Sequence, residues 1–154
     1  MIPTAQLIRK IDPAAKIIGF AEAGINLEFS EGVLKILKKE NKADLIDYLC
    51  YHPYNFNPDE SYEDVNKLYS LMKAYAPKMK LFQGENGAPS EWVSGFALAK
   101  YAWTELSQAK WTLRRMLGDL ALGIPSSVFT MIDLLYPNVV NRKGLLYANA
   151  DMTV

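Results

Sequence analysis

The chain has one cysteine, one histidine, no net charge and no long apolar run, and each scarcity removes a class of function. Cys50 alone builds no intramolecular disulfide framework, and His52 alone supplies no histidine-rich metal cage. The scattered carboxylates fall at no metal-ligand spacing, so neither a metal nor a cofactor is expected. Seventeen basic residues balance 17 acidic ones, which leaves no overall attraction for a phosphate backbone or an anionic membrane. Nucleic acid and membrane are therefore not expected partners. No apolar stretch approaches the roughly 20 residues that span a bilayer. The start, Met1-Ile2-Pro3-Thr4, has no basic region leading into an apolar one, so the chain reads as a soluble, mature-type segment without a targeting sequence. Phosphate chemistry lacks its motifs as well: Gly84 to Gly87 misses the G-x-G-x-x-G spacing, and no Lys-Ser/Thr follows Gly118 to Gly123.

What is present is a globular composition of 154 residues, half of them hydrophobic, 22% charged and 12% aromatic. That length supports one domain, residues 1–154, with a real core. Apolar runs alternate with amphipathic stretches. Ala5 to Ile11 reads as a helix stopped by Asp12-Pro13, and Lys16 to Ala21 as a strand. Ser30 would cap a helix through Lys39, and Ile46 to Tyr51 gives a second strand. Tyr62 to Ala76 is the cleanest helix, with Val65, Leu68, Tyr69, Met72 and Ala76 on one face and Pro77 at its end. Met79 to Glu85 follows as a third strand. Ser107 to Leu122 is a further helix with Leu113, Met116, Leu117, Leu120 and Ala121 on one face, and Ser127 to Asp133 a fourth strand. The tail carries turn signals at Tyr136-Pro137-Asn138 and Asn141-Arg142-Lys143-Gly144.

Four strands separated by helices imply an α/β chain with a parallel sheet, since each parallel connection needs a crossover. Periodicity leaves two closures open: a doubly wound open sheet, or part of an eight-stranded barrel, whose whole length is typically about 250 residues.

In either architecture chemistry belongs where strands run into their following loops. The third strand ends Gln83-Gly84-Glu85-Asn86-Gly87, placing a carboxylate where small neighbours permit a sharp turn and a close ligand. Glu85 is the strongest catalytic candidate. His52 and Tyr54, around Pro53 at the end of the second strand, share parity and so point to one side. A tyrosine hydroxyl beside a carboxylate holds it ionised and aimed. The plainer alternatives are a solvated Glu85, a structural His52 and a Tyr54 that packs with a wet tip. Glu22 also ends a strand, but it reads better as a solvated loop carboxylate than as a second catalytic acid. A thiol mechanism through Cys50 and His52 is disfavoured, because two residues along a strand advance about 6.6 Å, beyond nucleophile-to-base reach. Cys50 reads as a buried structural residue.

Asp47-Tyr48-Leu49-Cys50-Tyr51-His52-Pro53-Tyr54, followed by Leu81-Phe82-Gln83-Gly84-Glu85-Asn86-Gly87, resembles the sixth and seventh strands of clan A glycoside hydrolases. These are retaining (β/α)8-barrel enzymes. Ile8-Arg9-Lys10-Ile11-Asp12-Pro13, Gln108-Ala109-Lys110-Trp111 and Arg114-Arg115 are similar to the corresponding helices. The resemblance implies a C-terminal half-barrel of about four β/α units, strands five to eight, out of the eight of a TIM barrel. It implies that Glu85 is the catalytic nucleophile and that His52 and Tyr54 are the active-site His and Tyr of strand six. The clan's acid/base glutamate follows an asparagine at the end of strand four, so it is expected on a missing N-terminal half. Strand eight of many relatives ends in a sugar-stacking tryptophan; Phe129, Asp133 and Tyr136 occupy that region here. Asn86, Trp92, Trp103 and Tyr136 are accordingly the expected substrate-binding residues. The implied partner is a carbohydrate substrate, and the implied parent a glycosidase, its location left open with a secreted or periplasmic one included. The bare edges of a half-barrel imply self-association, a complementing half, or sugar binding without cleavage.

Overall fold

In the computed structural model, which describes residues 1–149 and 151, three parallel strands are joined by helical crossovers. The residues group into two compact units, Met1–Pro53 with Ser61–Gly84, and Tyr54–Glu60 with the chain from Glu85 onward.

The first unit contains α1 (Ile2–Ile11), β1 (Ile18–Glu22), α2 (Leu27–Lys39), β2 (Tyr48–Tyr51), α3 (Tyr62–Tyr75) and β3 (Lys80–Gln83). The sheet order is β1-β2-β3, all parallel, with Ile18 opposite Tyr48, Tyr48 opposite Lys80, and Tyr51 opposite Gln83. α1 begins three residues earlier than the sequence suggests, because a proline in the first turn loses no intrahelical hydrogen bond. Past its end, the Asp47 carboxylate accepts from Ile17 N–H at 2.7 Å and from the Arg9 guanidinium at 2.6 Å, tying α1 to the start of the sheet. α2 packs on α3. Leu34 and Leu37 from α2, Val65, Leu68 and Met72 from α3, and Leu49 and Leu81 from the sheet are all buried. Each such aliphatic side chain contributes about 1.5–3 kcal/mol by leaving water.

Ser30 is not the cap of α2. Asn26 holds that place, accepting from Phe29 N–H at 3.0 Å, while buried Ser30 donates to the Glu22 carboxylate. Glu22 also accepts from Asn26 N–H at 2.7 Å. It is therefore a buried structural carboxylate at a helix N-terminus, where N–H groups without intrahelical partners favour negative charge, and not a solvated loop residue.

The second unit contains α4 (Glu105–Ala121) and the hairpin β4 (Leu134–Tyr136) with β5 (Val139–Asn141). α4 starts with a reciprocal cap: Thr104 Oγ1 accepts from Ser107 N–H at 3.2 Å, and Ser107 Oγ accepts from Thr104 N–H at 2.8 Å. Its buried side is not that apolar face. Gln108, Trp111, Thr112, Arg115 and Asp119 face inward, whereas Leu113, Met116, Leu117 and Leu120 are exposed by 60%, 40%, 55% and 71%. Both sets recur at helical spacing, so periodicity locates two stripes without deciding which is covered.

The expected fourth strand, Ser127 to Asp133, does not form among the described residues, so the sheet has three strands and not four. The reason lies in its partners. Phe129 N–H donates to the Asn86 carbonyl at 2.5 Å and the Asn86 side-chain amide donates to the Ser127 carbonyl at 2.8 Å. Further along, Thr130, Met131 and Asp133 exchange backbone bonds with Lys143, Leu145 and Leu146, with an isolated bridge between Ile132 and Leu146. Side chains and loops consume the groups a ladder needs. The Pro137-Asn138 turn signal is realised as the bend of the β4–β5 hairpin.

Candidate active site

Glu85 leaves β3 through Gly84, and the glycine is required by close approach. A Cβ there would collide with Cys50 Sγ and lie 3.0 Å from His52 Nε2. Gly87 is constrained likewise, since a Cβ would run into the Phe129 carbonyl. Between the glycines the backbone places Glu85 so that Oε1 accepts from the Tyr54 hydroxyl at 2.7 Å. Burial and the hydrogen bond to Glu85 push the Tyr54 phenol above its ordinary pKa, so it remains a donor at neutral pH.

These two residues line a cavity of about 210 Å³ with Phe96, Ala97, Phe129, Tyr136, Asn141 and Lys143. The Lys143 ammonium donates to the Ala97 carbonyl at 2.5 Å and lies 4.4 Å from the centroid of the Tyr54 ring. Only 2% of Lys143 is exposed, and burial pushes its pKa down to about 8 against the opposing pull of the Glu85 carboxylate. The cavity thus combines one carboxylate, two phenols, one ammonium and an amide, flanked by aromatic rings. A carboxylate oriented by a hydrogen-bond donor suits nucleophilic or basic work.

Buried polar bonds hold the segments carrying this cavity. Arg115 Nε lies 3.1 Å from Asp119 Oδ2, and Arg115 Nη1 donates to the Pro58 carbonyl at 2.9 Å. Ser126 Oγ donates to Asp119 Oδ2 at 2.8 Å, and the Asn86 amide reaches Ser126 Oγ at 3.3 Å. α4 therefore anchors both the turn following Tyr54 and the loop crossing below Glu85.

Of the residues singled out from the sequence, the cavity brings together Glu85, Tyr54, Phe129 and Tyr136. His52 belongs to the first unit, where its backbone N–H donates to the Glu22 carbonyl at 2.8 Å. Its Nε2 lies 3.5 Å from Cys50 Sγ, so the strand-spacing expectation that separates imidazole and thiol too far is corrected: the side chains meet across the end of β2. Cys50 is buried, as expected. Asn86 is buried and spends its amide on Ser126 and Ser127, away from the cavity. Trp103 packs with Ala88, Leu98 and Trp111, its Nε1–H donating to the Leu98 carbonyl at 2.7 Å, so it offers the cavity no face. Trp92 is 60% exposed and does not line the cavity either. Lys143, Asn141 and Phe96 escape the sequence reading. The available signal was the polar cluster Asn141-Arg142-Lys143, taken only as a turn.

No family model matches the chain, and no curated protein does. Solved structures do. An active-site mutant of a Rhizomucor miehei β-1,3-glucanosyltransferase in complex with laminaritriose superposes with a TM-score of 0.53 at 13% identity, covering 98% of this chain and 66% of that one. A glycoside hydrolase family 17 β-1,3-glucanosyltransferase from Rhizomucor miehei gives 0.53 at 12% identity, over 95% of this chain and 65% of that one. The fold is glycoside hydrolase-like. At this identity the likeness is one of fold alone, and the chain spans just under two thirds of the length of those proteins.

Proposed function

We propose that the chain is the C-terminal half of a retaining (β/α)8-barrel glycosidase of the clan A type, with Glu85 as nucleophile. The observation that carries this reading is the 2.7 Å hydrogen bond from Tyr54 to Glu85 inside a small polar cavity at the end of a parallel strand. In such a reaction the Glu85 carboxylate attacks the anomeric carbon as the glycosidic bond breaks, and a second carboxyl group protonates the departing oxygen. Water then cleaves the glycosyl ester, returning Glu85. Retention requires the two carboxyls roughly 5 Å apart. Glu22 is spent at the N-terminus of α2, so the acid is assigned to the missing N-terminal half. Tyr54 keeps Glu85 aimed, Tyr136 offers a ring to the sugar, and His52 is carried as a supporting residue at the end of β2. Asn86, Trp92 and Trp103 do not line this cavity, so the reading gives them no part in the step at Glu85.

The test uses the full chain with a dinitrophenyl 2-deoxy-2-fluoroglycoside panel, whose leaving group needs little acid assistance. Covalent labelling located on Glu85 by peptide mass spectrometry is the expected result, abolished in Glu85→Gln. Labelling elsewhere, or none across the panel, would remove the assignment. Laminaritriose, the ligand held by the Rhizomucor miehei protein, is the first unmodified sugar to offer.

A second element of the reading rests on α4. Its exposed apolar stripe is what a helix shows when a further polypeptide is meant to cover it. We assign that place to the remainder of the barrel, or to a second copy of this chain in its absence.

A further inference from the structure

We propose that Lys143 is a positioning residue that sets a buried positive charge in the cavity of Glu85 and pins the Tyr54 ring that aims that carboxylate. The inference rests on the nucleophile reading of Glu85. Lys143 comes from the segment after the hairpin, remote in sequence from both partners, yet its ammonium sits 4.4 Å from the Tyr54 ring centroid. A cation over the face of a ring is attracted to it, more strongly as water is excluded. Among the described residues Lys143 forms no ion pair within 4 Å; the Ala97 carbonyl takes one of its three protons. A buried ammonium without a paired acid is costly, and chains keep one where its field is used. The anion that its field reaches in this cavity is Glu85.

The surrounding charges leave that field uncancelled. The titratable groups lining the cavity are Tyr54, Glu85, Tyr136 and Lys143. Arg142, next in the chain, turns away to Asp133 at 2.9 Å and Glu91 at 3.0 Å, where its charge is balanced. Tyr54 is a neutral donor whose hydrogen bond fixes one oxygen of Glu85. Lys143 therefore acts on the nucleophile in two ways: directly through charge, and indirectly by limiting the swing of the ring that carries the donor.

The decisive measurement follows Lys143 itself, by ¹³Cε NMR titration of lysine-labelled full chain. Coupling is reciprocal, so whatever Lys143 does for the Glu85 carboxylate, that carboxylate does for the ammonium. Replacing Glu85 by Gln is expected to lower the Lys143 midpoint from about 8 by about one further unit. An unmoved midpoint overturns the proposal. In Lys143→Met the rate of fluoroglycoside trapping on Glu85 is expected to fall about tenfold, with Lys143→Arg recovering most of it. If trapping on Glu85 proceeds at an unchanged rate in Lys143→Met and with an unmoved lysine midpoint in Glu85→Gln, the glycosidase reading stands and this proposal falls. If the lysine midpoint moves but no trapping occurs, the coupling stands and the glycosidase reading falls. Should Lys143→Met fail to fold, the titration in Glu85→Gln still decides.

Discussion

The Tyr54 hydroxyl and Glu85 Oε1 are joined at 2.7 Å, although 31 positions separate them in the chain. A hydrogen bond to a charged group is worth about 1.5–3 kcal/mol. Tyr54→Phe keeps the ring against its core of Ala88, Leu98, Trp103 and Trp111 and removes only the donor. The expected outcome is a fall of about 10- to 100-fold in the rate of Glu85 trapping, with a loss of unfolding free energy in urea no larger than about 1.5–3 kcal/mol. A larger loss of stability, as for a core truncation, would instead make Tyr54 a packing residue.

Arg115 and Asp119 carry the structural load behind that pair. Both are fully buried, and the pair also bonds to Pro58 and Ser126. Breaking a buried pair strands the surviving charge, so Arg115→Met is expected to cost about 3–5 kcal/mol. The double replacement Arg115→Met with Asp119→Leu is expected to recover part of that stability. Trapping of Glu85 should nonetheless stay slow in the double variant, since the Pro58 and Ser126 anchors are gone. Chemical unfolding measured beside trapping rates separates the two effects.

Lys143 exacts a stability cost whose sign is fixed by its pKa. Its midpoint is about 8 in the folded chain against 10.5 for an unperturbed lysine. Between those values the unfolded chain binds more protons, so stability rises with pH from about 8 to 10.5. Below about 8 the folded chain carries the full penalty of a buried cation. Lys143→Met is therefore expected to gain about 1–2 kcal/mol at neutral pH, after the lost Ala97 hydrogen bond is set against it, and to flatten the pH dependence. A merely structural lysine would lose stability on replacement.

Asp47 gives the opposite pH signature in the first unit. Burial pushes its carboxyl up, but the Ile17 N–H and the Arg9 and Lys16 charges outweigh this and hold it below the ordinary value of 3.8. Its contribution is thus fully present above 3.8 and is lost as pH falls through the lower, folded value. Asp47→Asn is expected to cost about 1.5–3 kcal/mol at pH 7 and to show a shallower loss of stability on acidification. An acid unfolding curve parallel to that of the unmodified chain would contradict this.

Glu85 and Tyr54 were legible in the sequence because their signals are local: a carboxylate between glycines, and a tyrosine following His-Pro at a strand end. The parallel strands β1, β2 and β3 were legible for the same reason, each being an apolar run with a helix behind it. Lys143 was not, since nothing near it in sequence says that the chain folds back over Tyr54. The fourth strand misled because Ser127 to Asp133 has strand-like composition, while its hydrogen-bonding partners, Asn86 and the 143–146 segment, are set by tertiary structure. The burial of Trp103 among Ala88, Leu98 and Trp111 was not legible, because exposure has no sequence signature for an aromatic.

The face of α4 shows the same ambiguity and yields the last prediction. Sequence periodicity picks out Leu113, Met116, Leu117 and Leu120 as the apolar stripe, yet the chain covers the opposite one, built around the Arg115–Asp119 pair. Four exposed aliphatic side chains on adjacent turns expose apolar surface that soluble monomers seldom leave contiguous. If a second chain or the remainder of a barrel covers them, Leu113→Glu with Leu117→Glu will leave monomer stability within about 0.5 kcal/mol, as surface substitutions do. Sedimentation velocity should then show the unmodified chain associating with rising concentration and the double variant remaining monomeric. A chain that is monomeric at every concentration, with or without the substitutions, excludes self-association through α4. Loss of several kcal/mol in the monomer would show instead that the stripe is packed within the chain.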